Sequence, residues 1–385
     1  MMITALHSDG NRGPTPADPP AERVDSMVGE LAEALRRRQA PDGHWLFELE
    51  ADTTIPAEFI MLEHYLDDID ADLEAKLARY LRDRQAEHGG WPLFYGGAFN
   101  ISASVKAYLA LKLVGDDPDA PHMARARAAI LAHGGAATAN VFTRIALALF
   151  GQVPWRATPT MPIEIMLLPA WSPFHIDKVS YWSRTVMVPL LVLMALKPRA
   201  ANPRRVDIAE LFTVPPDEHP NYQVNPTGSR TGELFLWLDK ALKVVQPMFP
   251  QKPRQRALDA AVAWFTARMN GEHGLGAIFP AMTNAVMALA ALGYPREHKL
   301  FRDGMTALRK LLLVDAGESG YCQPCVSPIW DTGLALLAML EVGESGDGAV
   351  VRQASDWLRD RQITDLAGDW AVQRPGLAPG GWAFQ

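Results

Sequence analysis

Four apolar segments that each stop at a glycine, Ala107–Gly115, Ile145–Gly151, Ala285–Gly293 and Leu334–Gly343, limit the fold more than anything else in the sequence. Ala, Leu and Met dominate them and β-branched residues are sparse, while a closing Gly can take the left-handed conformation that satisfies the last helical carbonyls. Each reads as a helix with a defined stop. A fifth segment, Val192–Leu196, ends at Pro198 instead. More charged segments precede several of these: Asp72–Gln85, His122–Ala132, Arg254–Met269, Phe301–Leu313 and Val350–Gln362. Their pattern is that of helices facing solvent over buried apolar partners. No alternating strand pattern lies between the members. The fold class is therefore all-α, made of repeated helix pairs, and periodicity alone does not choose between an open solenoid and a closed double ring.

With 385 residues and 48% hydrophobic content, the chain can bury a substantial core. A formal net charge of -7 and the lack of a basic arm speak against a nucleic-acid partner, which requires a cationic face for phosphates. The two cysteines, Cys322 and Cys325, cannot form a disulfide framework and fit a reducing compartment. Met1–Gly10 lacks the charged start and apolar run of a signal peptide, and no later run is apolar for the ~18 residues a spanning helix needs. Residues 1–22, with Pro14, Pro16, Pro19 and Pro20, read as a flexible tail.

Two turns share nearly one spelling: Gln39-Ala-Pro-Asp-Gly-His-Trp45 and Gln85-Ala-Glu-His-Gly-Gly-Trp91. Both follow an Arg-rich helix end. The Gln is expected to bond that helix end, the Gly to make the reversal and the Trp to cover the junction. Degenerate copies occur at Met269–Leu275 and at Gln362–Trp370, and Trp382 follows a further Gly-Gly. These residues read as staples rather than as chemistry.

The Gln…Gly-x-Trp repeats resemble the QW motifs of triterpene cyclases. Further strings are similar to those of bacterial squalene–hopene cyclases: Ala57-Glu-Phe59, Val141-Phe-Thr-Arg144, Met161-Pro-Ile-Glu-Ile-Met166, Gly276-Ala-Ile-Phe-Pro280, Tyr321-Cys-Gln-Pro-Cys325, Ser327-Pro-Ile-Trp-Asp-Thr332 and Gly380-Gly-Trp-Ala-Phe-Gln385. The resemblance runs from about Val24 to Gln385. It implies (α/α) barrels, with residues 49–325 forming the first, 326–385 beginning a second, catalytic one, and an N-terminal helix in 23–48 packing with the second. It also implies an isomerase that folds squalene, or a similar polyprene, in an apolar cavity, protonates a terminal double bond and closes rings through carbocations to hopene or hopanol. No metal or organic cofactor is implied. A carbocation needs such a dry cavity, with aromatic faces that stabilise charge without attacking it.

By matching strings, Trp182, Ile278, Trp330 and Phe384 resemble residues that line the family's cavity, Phe384 facing the developing cations. Glu58 and Arg144 are charges within apolar helices, suited to ordering buried water or to a structural ion pair. In the family an Asp-x-Asp-Asp motif carries the acid beyond the string matching Gly380–Gln385, so no catalytic residue is expected within these residues and the chain alone is expected to be inactive. Asp67-Asp68-Ile69-Asp70-Ala71-Asp72 is a solvated loop between helices, Asp72 near an N-cap, rather than a Mg²⁺-diphosphate motif. Cys322 and Cys325 read as ordinary thiols, since no second ligand pair is in reach for zinc.

Gly232–Phe249 carries Leu234, Phe235, Leu238, Leu242 and Val245 at helical spacing, with Trp237 beside them and Lys240 and Lys243 offset. This is an amphipathic helix. It falls where the family carries a helix dipping into one leaflet, which places the protein, without a spanning helix, on the cytoplasmic side of a membrane. A homodimer stays open. Two other readings stay open beside the leading one: a cyclase of the same architecture acting on another polyprene or a diterpenoid diphosphate, and a non-catalytic helical module that binds lipid.

Overall fold

The structure is a computed structural model that describes residues 21–225, 228–314, 317–365, 368–372, 374 and 376–384. Residues 1–20 of the expected tail lie outside them, and Ala21 already opens the first helix. Thirteen helices follow among the described residues: α1 Ala21–Arg38, α2 Thr54–Leu66, α3 Ala71–Asp83, α4 Ile101–Val114, α5 Pro121–Ala132, α6 Val141–Leu149, α7 Tyr181–Leu196, α8 Arg230–Val245, α9 Gln251–Thr266, α10 Phe279–Ala291, α11 Lys299–Arg309, α12 Pro328–Glu341 and α13 Ala349–Asp360. The chain forms two compact units, one of residues 48–326 with 364–379, the other of residues up to 47 with 327–363 and 380–384.

The larger unit is an α/α barrel. Helices α7, α10, α2, α4 and α6 stand side by side in that order, and α3, α5, α9 and α11 pack outside them. The two layers differ as their sequences demand. In α4 eleven of the fourteen residues are buried, because an inner helix touches both neighbours, an outer helix and the axis. In α3 five of thirteen are buried, a single stripe of Glu74, Leu77, Ala78, Tyr80 and Leu81. In the smaller unit, α1, α12 and α13 surround the fully buried Trp45 together with Ala32, Ala335, Met339 and Ala354.

The glycine stops share one geometry. The residue after each glycine donates its N–H five residues back: Asp116 to Leu111 O, Gln152 to Leu147 O, Tyr294 to Leu289 O and Glu344 to Met339 O. The glycines hold φ of 115°, 70°, 81° and 94°, which an L-residue adopts only with strain. At the fifth copy Lys197 takes that strain, at φ 50°, before Pro198.

The two full turns are more elaborate than a helix stop. The Trp91 indole N–H donates to Leu81 O at the end of α3 (2.7 Å), and its backbone N–H donates to Ser104 Oγ in α4 (2.9 Å). Gln85 Nε2 donates to Gly89 O in the turn (2.7 Å) and to His122 O in the first turn of α5 (2.8 Å). The first turn repeats every link: Trp45 Nε1 to Leu35 O (2.8 Å), Trp45 N to Thr332 Oγ1 (3.0 Å), and Gln39 Nε2 to Gly43 O and Val350 O (both 2.9 Å). Thus Trp, not Gln, closes the helix end, and Gln reaches forward to the next outer helix.

Two sequence expectations change. The degenerate copy at Gln362 closes on Trp382, not Trp370: Gln362 Nε2 donates to Gly380 O (2.7 Å) and Trp382 Nε1 to Leu358 O (2.6 Å). The stretch between them leaves this turn, and Asp369 within it pairs bidentately with Arg268 (both 2.7 Å). The helix expected over Phe301–Leu313 stops at Arg309. Leu312–Val314 (β1) instead pairs antiparallel with Gly320–Cys322 (β2), Leu313 opposite Tyr321. Three residues are too few to show an alternation, and the cross-strand partner decides their conformation.

A Trp91→Phe change removes the indole donor and leaves the carbonyl of Leu81 buried and unpaired, which costs about 1–3 kcal/mol. The equivalent Trp382 is 46% exposed, so water can replace its donor. Trp91→Phe should lower the urea midpoint markedly at unchanged slope and Trp382→Phe should cost less than ~1 kcal/mol. Equal shifts for the two would contradict the role given to buried Trp91.

Candidate functional site

All five inner helices line one cavity of the barrel. Thr54, Ile55, Glu58, Met61 and Leu62 come from α2, Ser102 and Lys106 from α4, Phe142, Ile145, Ala146 and Leu149 from α6, Val186 and Leu190 from α7, and Pro280, Thr283, Asn284 and Met287 from α10. Its volume is about 420 Å³, within the range of small-molecule sites. The walls are mostly aliphatic, as suits an apolar occupant.

The polar groups at its rim are largely committed. Asn100 Oδ1 accepts from the N–H groups of Ser102 and Ala103 (3.0 Å each), and Asn140 Oδ1 from Thr143 N (2.9 Å), so both are N-caps. Asp52 Oδ1 accepts from Thr54 N (2.6 Å). Glu58 and Lys106 form an ion pair across α2 and α4, with Lys106 almost wholly buried. Lys106 went unnoticed in the sequence although it carries the same signal as Glu58, a lone charge in an apolar helix.

The other sequence candidates take several positions. Arg144 does not line the cavity and among the described residues makes no ion pair; it donates to Ala139 O (3.0 Å) and Gln223 Oε1 (3.2 Å), and burial lowers its pKa. Trp182 lies one turn before Val186 on α7 and is 44% exposed. Ile278 directly precedes α10, in a bridge with Cys325. The stretch leading to Ile278 passes so close to α7 that a Cβ on Gly276 would come within 2.7 Å of Thr185 Oγ1. Trp330 and Phe384, in the smaller unit, meet edge-to-face, with ring centroids 5.9 Å apart at 77°.

Helix α8 has no fully buried residue. Its polar side faces inward: Asp239 Oδ1 accepts from Thr160 N (2.6 Å), and Lys243 pairs with Asp239 (2.8 Å) and donates to Arg156 O (3.2 Å). Leu234, Phe235, Trp237, Val244 and Val245 are exposed, with Met248 just beyond the helix, whereas Leu238 and Leu242 are half-buried. The outward apolar face is thus rotated from the stripe read in the sequence, losing Leu238 and Leu242 and gaining Val244 and Met248. No helix of the described residues is long and apolar enough to cross a membrane.

Among the described residues no group of three or more His, Cys, Asp or Glu is placed to hold a metal ion. In the acidic loop Asp70 is the N-cap of α3, accepting from Leu73 N (3.2 Å), with Asp72 in the first turn as expected near a cap, and Asp68 pairs with Arg296 (3.2 Å). Cys322 is buried, which raises its thiol pKa, and neither Cys322 nor Cys325 is in a disulfide. At the opposite end of the barrel, His64 Nε2 lies 2.6 Å from Glu74 Oε1, and Arg204 grips Glu74 while donating to the last carbonyls of α4, Leu113 O and Val114 O. Burial pushes the neighbouring Glu63 carboxyl up to about 8. Burial also pushes Glu74 upward, but the hydrogen bonds from His64 and Arg204 outweigh it and hold that carboxyl below its usual range.

Comparison with known proteins is consistent with these features. The squalene-hopene cyclase N-terminal domain matches residues 28–316, and the squalene-hopene cyclase C-terminal domain matches residues 326–385. A squalene–hopene cyclase of Zymomonas mobilis is 52% identical over 375 residues, covering 95% of this chain and 56% of that protein. One of Bradyrhizobium diazoefficiens is 52% identical with coverage of 95% and 56%, and one of Alicyclobacillus acidocaldarius is 37% identical with coverage of 93% and 56%. The chain therefore spans just over half the length of these relatives.

Glu63 makes stability fall with rising pH. An unfolded glutamate gives up its proton near pH 4.5, but the buried one keeps it to about 8, so the folded state binds more protons throughout that window. The stabilisation is fully present below the lower value, declines between the two, and is gone above the upper one. Glu74 acts in the opposite sense and at lower pH, its contribution being lost as pH falls below the usual carboxylate range. Glu63→Gln should melt well above the parent protein at about pH 8.5 and close to it at about pH 5. The same difference at both pH values would show that Glu63 does not carry the buried proton.

Proposed function

The chain belongs to the squalene–hopene cyclase family, and from that premise we propose that the protein closes squalene into hopene or hopanol by proton-initiated carbocation chemistry. The observation that carries this reading is the axial cavity, because five apolar helices line a space that can shield a cation from water. Trp182 and Ile278, beside the lining residues Val186 and Pro280, are assigned to contact with the folded polyprene at its mouth. The Trp330–Phe384 pair is assigned to π stabilisation of a cation, since an edge-to-face arrangement keeps one aromatic face available. No acid that protonates the alkene is assigned within these residues.

The outward face of α8 suits contact with one leaflet of a membrane. Six exposed apolar side chains, Leu234, Phe235, Trp237, Val244, Val245 and Met248, are held outward because Asp239 and Lys243 are fastened to the body of the barrel. On this reading the protein works at the cytoplasmic surface of a membrane and draws its apolar substrate from the lipid.

Expression of the full reading frame in which these residues are encoded, in a host that makes squalene but no hopanoid, should yield pentacyclic C30 products on gas chromatography of the lipid extract, whereas residues 1–385 expressed alone should not. Recovery of unchanged squalene alone would count against the assigned reaction. For α8, replacing Leu234 and Trp237 together by Glu should cut co-sedimentation with phospholipid vesicles by at least about tenfold, since each loses ~1 kcal/mol or more of apolar burial. Undiminished sedimentation would remove α8 from the membrane contact.

A further inference from the structure

Residues 230–256, which hold α8 and the start of α9, carry six Lys and Arg against two carboxylates, Glu233 and Asp239, in a chain whose formal net charge is -7. Most of this local positive charge has no use inside the fold. Lys243 and Arg254 each meet a carboxylate of the barrel unit, Asp239 at 2.8 Å and Glu164 at 3.5 Å. The other four, Arg230, Lys240, Lys252 and Arg256, are exposed, and none is paired with a carboxylate among the described residues. Of the two local carboxylates, Asp239 is tied to Thr160 N, and Glu233 accepts from Asn225 Nδ2 (2.9 Å).

These cations border the outward apolar face of α8. On a helix, residues three and four apart are neighbours, so Lys240 stands beside Trp237 and Val244, and Arg230 stands one turn before Leu234. Lys252 and Arg256, also one turn apart, follow Met248 at the start of α9. An apolar patch edged by unpaired cations suits a bilayer, where the apolar side chains enter the acyl region and the cations stay level with the headgroup phosphates. A neutral bilayer uses only the apolar part of this surface. An anionic one uses both parts, and it repels the rest of the chain, whose net charge is negative. A second copy of the chain fits less well, because an isologous contact would set the same cations against each other.

Resting on the reading of α8 as the membrane contact, we propose that this surface selects anionic phospholipids, and that Arg230, Lys240, Lys252 and Arg256 orient the barrel on them. The partner is the headgroup layer of a bilayer rather than a free phosphate, since the cations act together with the apolar face.

The protein encoded by the full reading frame is floated with vesicles of phosphatidylcholine alone and with vesicles in which about 30 mol% is phosphatidylglycerol. A cation near the surface contributes about fivefold in partitioning, so the parent protein should bind the anionic vesicles at least about twentyfold more tightly. Salt at about 0.5 M should remove most of that preference. The fourfold variant Arg230→Gln, Lys240→Gln, Lys252→Gln and Arg256→Gln should bring anionic binding down to the phosphatidylcholine level and leave phosphatidylcholine binding unchanged. Lys240→Arg with Lys252→Arg should keep the preference. Equal binding of the parent protein to both vesicles, or a preference that survives the fourfold variant, would overturn the selection and leave α8 as a purely apolar anchor. Release from anionic vesicles by inorganic phosphate at matched ionic strength would overturn it too, assigning the cations to a free anion. Binding to neither vesicle would fail the membrane reading itself and take the selection with it; a dimer in ultracentrifugation that Trp237→Glu breaks would then assign the face to a second copy.

Discussion

One clamp, made once in the barrel and again in the smaller unit, ties the layers together: the bond from a buried tryptophan indole to one of the last carbonyls of the helix before it. An α-helix ends with carbonyls that have no partner inside the helix, and burying such an end without a donor is costly. Trp91 closes α3 through Leu81 O, and the same residue's backbone N–H holds Ser104 of α4, so one residue fixes an outer helix against an inner one. Gln85 then adds the next outer helix through His122 O. Three helices meet at one turn, and the glycine is required because a Cβ on Gly89 would lie 2.9 Å from Arg125 O of α5. Trp45, Gln39 and Gly43 repeat the construction in the other unit, where a Cβ on Gly43 would lie 2.6 Å from the backbone of Gln353.

Alternating layers make all inner helices run in the same direction, and this has an electrostatic consequence. Helix N-termini carry partial positive charge and C-termini partial negative charge. At the C-terminal end arginines offset the charge: Arg204 donates to Leu113 O and Val114 O of α4, and Arg296 to Leu66 O and Asp67 O at the end of α2. At the N-terminal end, where the cavity opens, free N–H groups would repel a cation. There Asn100, Asn140 and Asp52 accept from those N–H groups, and Glu58 neutralises Lys106. The partial positive charge at the rim is thereby offset.

The sequence made the helix pairs, their glycine stops and the two full turns legible, because each is encoded within about ten residues. What it hid depends on distant partners. Helical spacing revealed an amphipathic α8 but not which side faces out, since the groups that turn Asp239 and Lys243 inward, Thr160 N and Arg156 O, lie some eighty residues earlier. Gln362 has two downstream tryptophans, and only the pairing of Ile363 N with Gly381 O brings Trp382 to it. The cavity wall arises from closure of the ring, so Lys106, Thr283 and Asn284 carried no local mark beyond being polar in apolar helices. The acidic loop was read correctly as solvated, and the capping residue is Asp70.

The paired clamps and the cavity thus lie in different parts of the barrel. Strong polar contacts sit in the turns, where Trp91 and Trp45 are wholly buried and both the backbone and the indole N–H of each have acceptors. The unpaired polar atoms are found elsewhere, among them Oγ1 of the lining residue Thr283 and Oε2 of Glu63 at the opposite end. Each such atom weakens the fold by an amount comparable to what one good clamp contributes. A ring held only by apolar packing would tend to collapse onto its axis to recover contact. The Trp91 turn instead fixes α3, α4 and α5 from the periphery, and about 420 Å³ stays open at the centre.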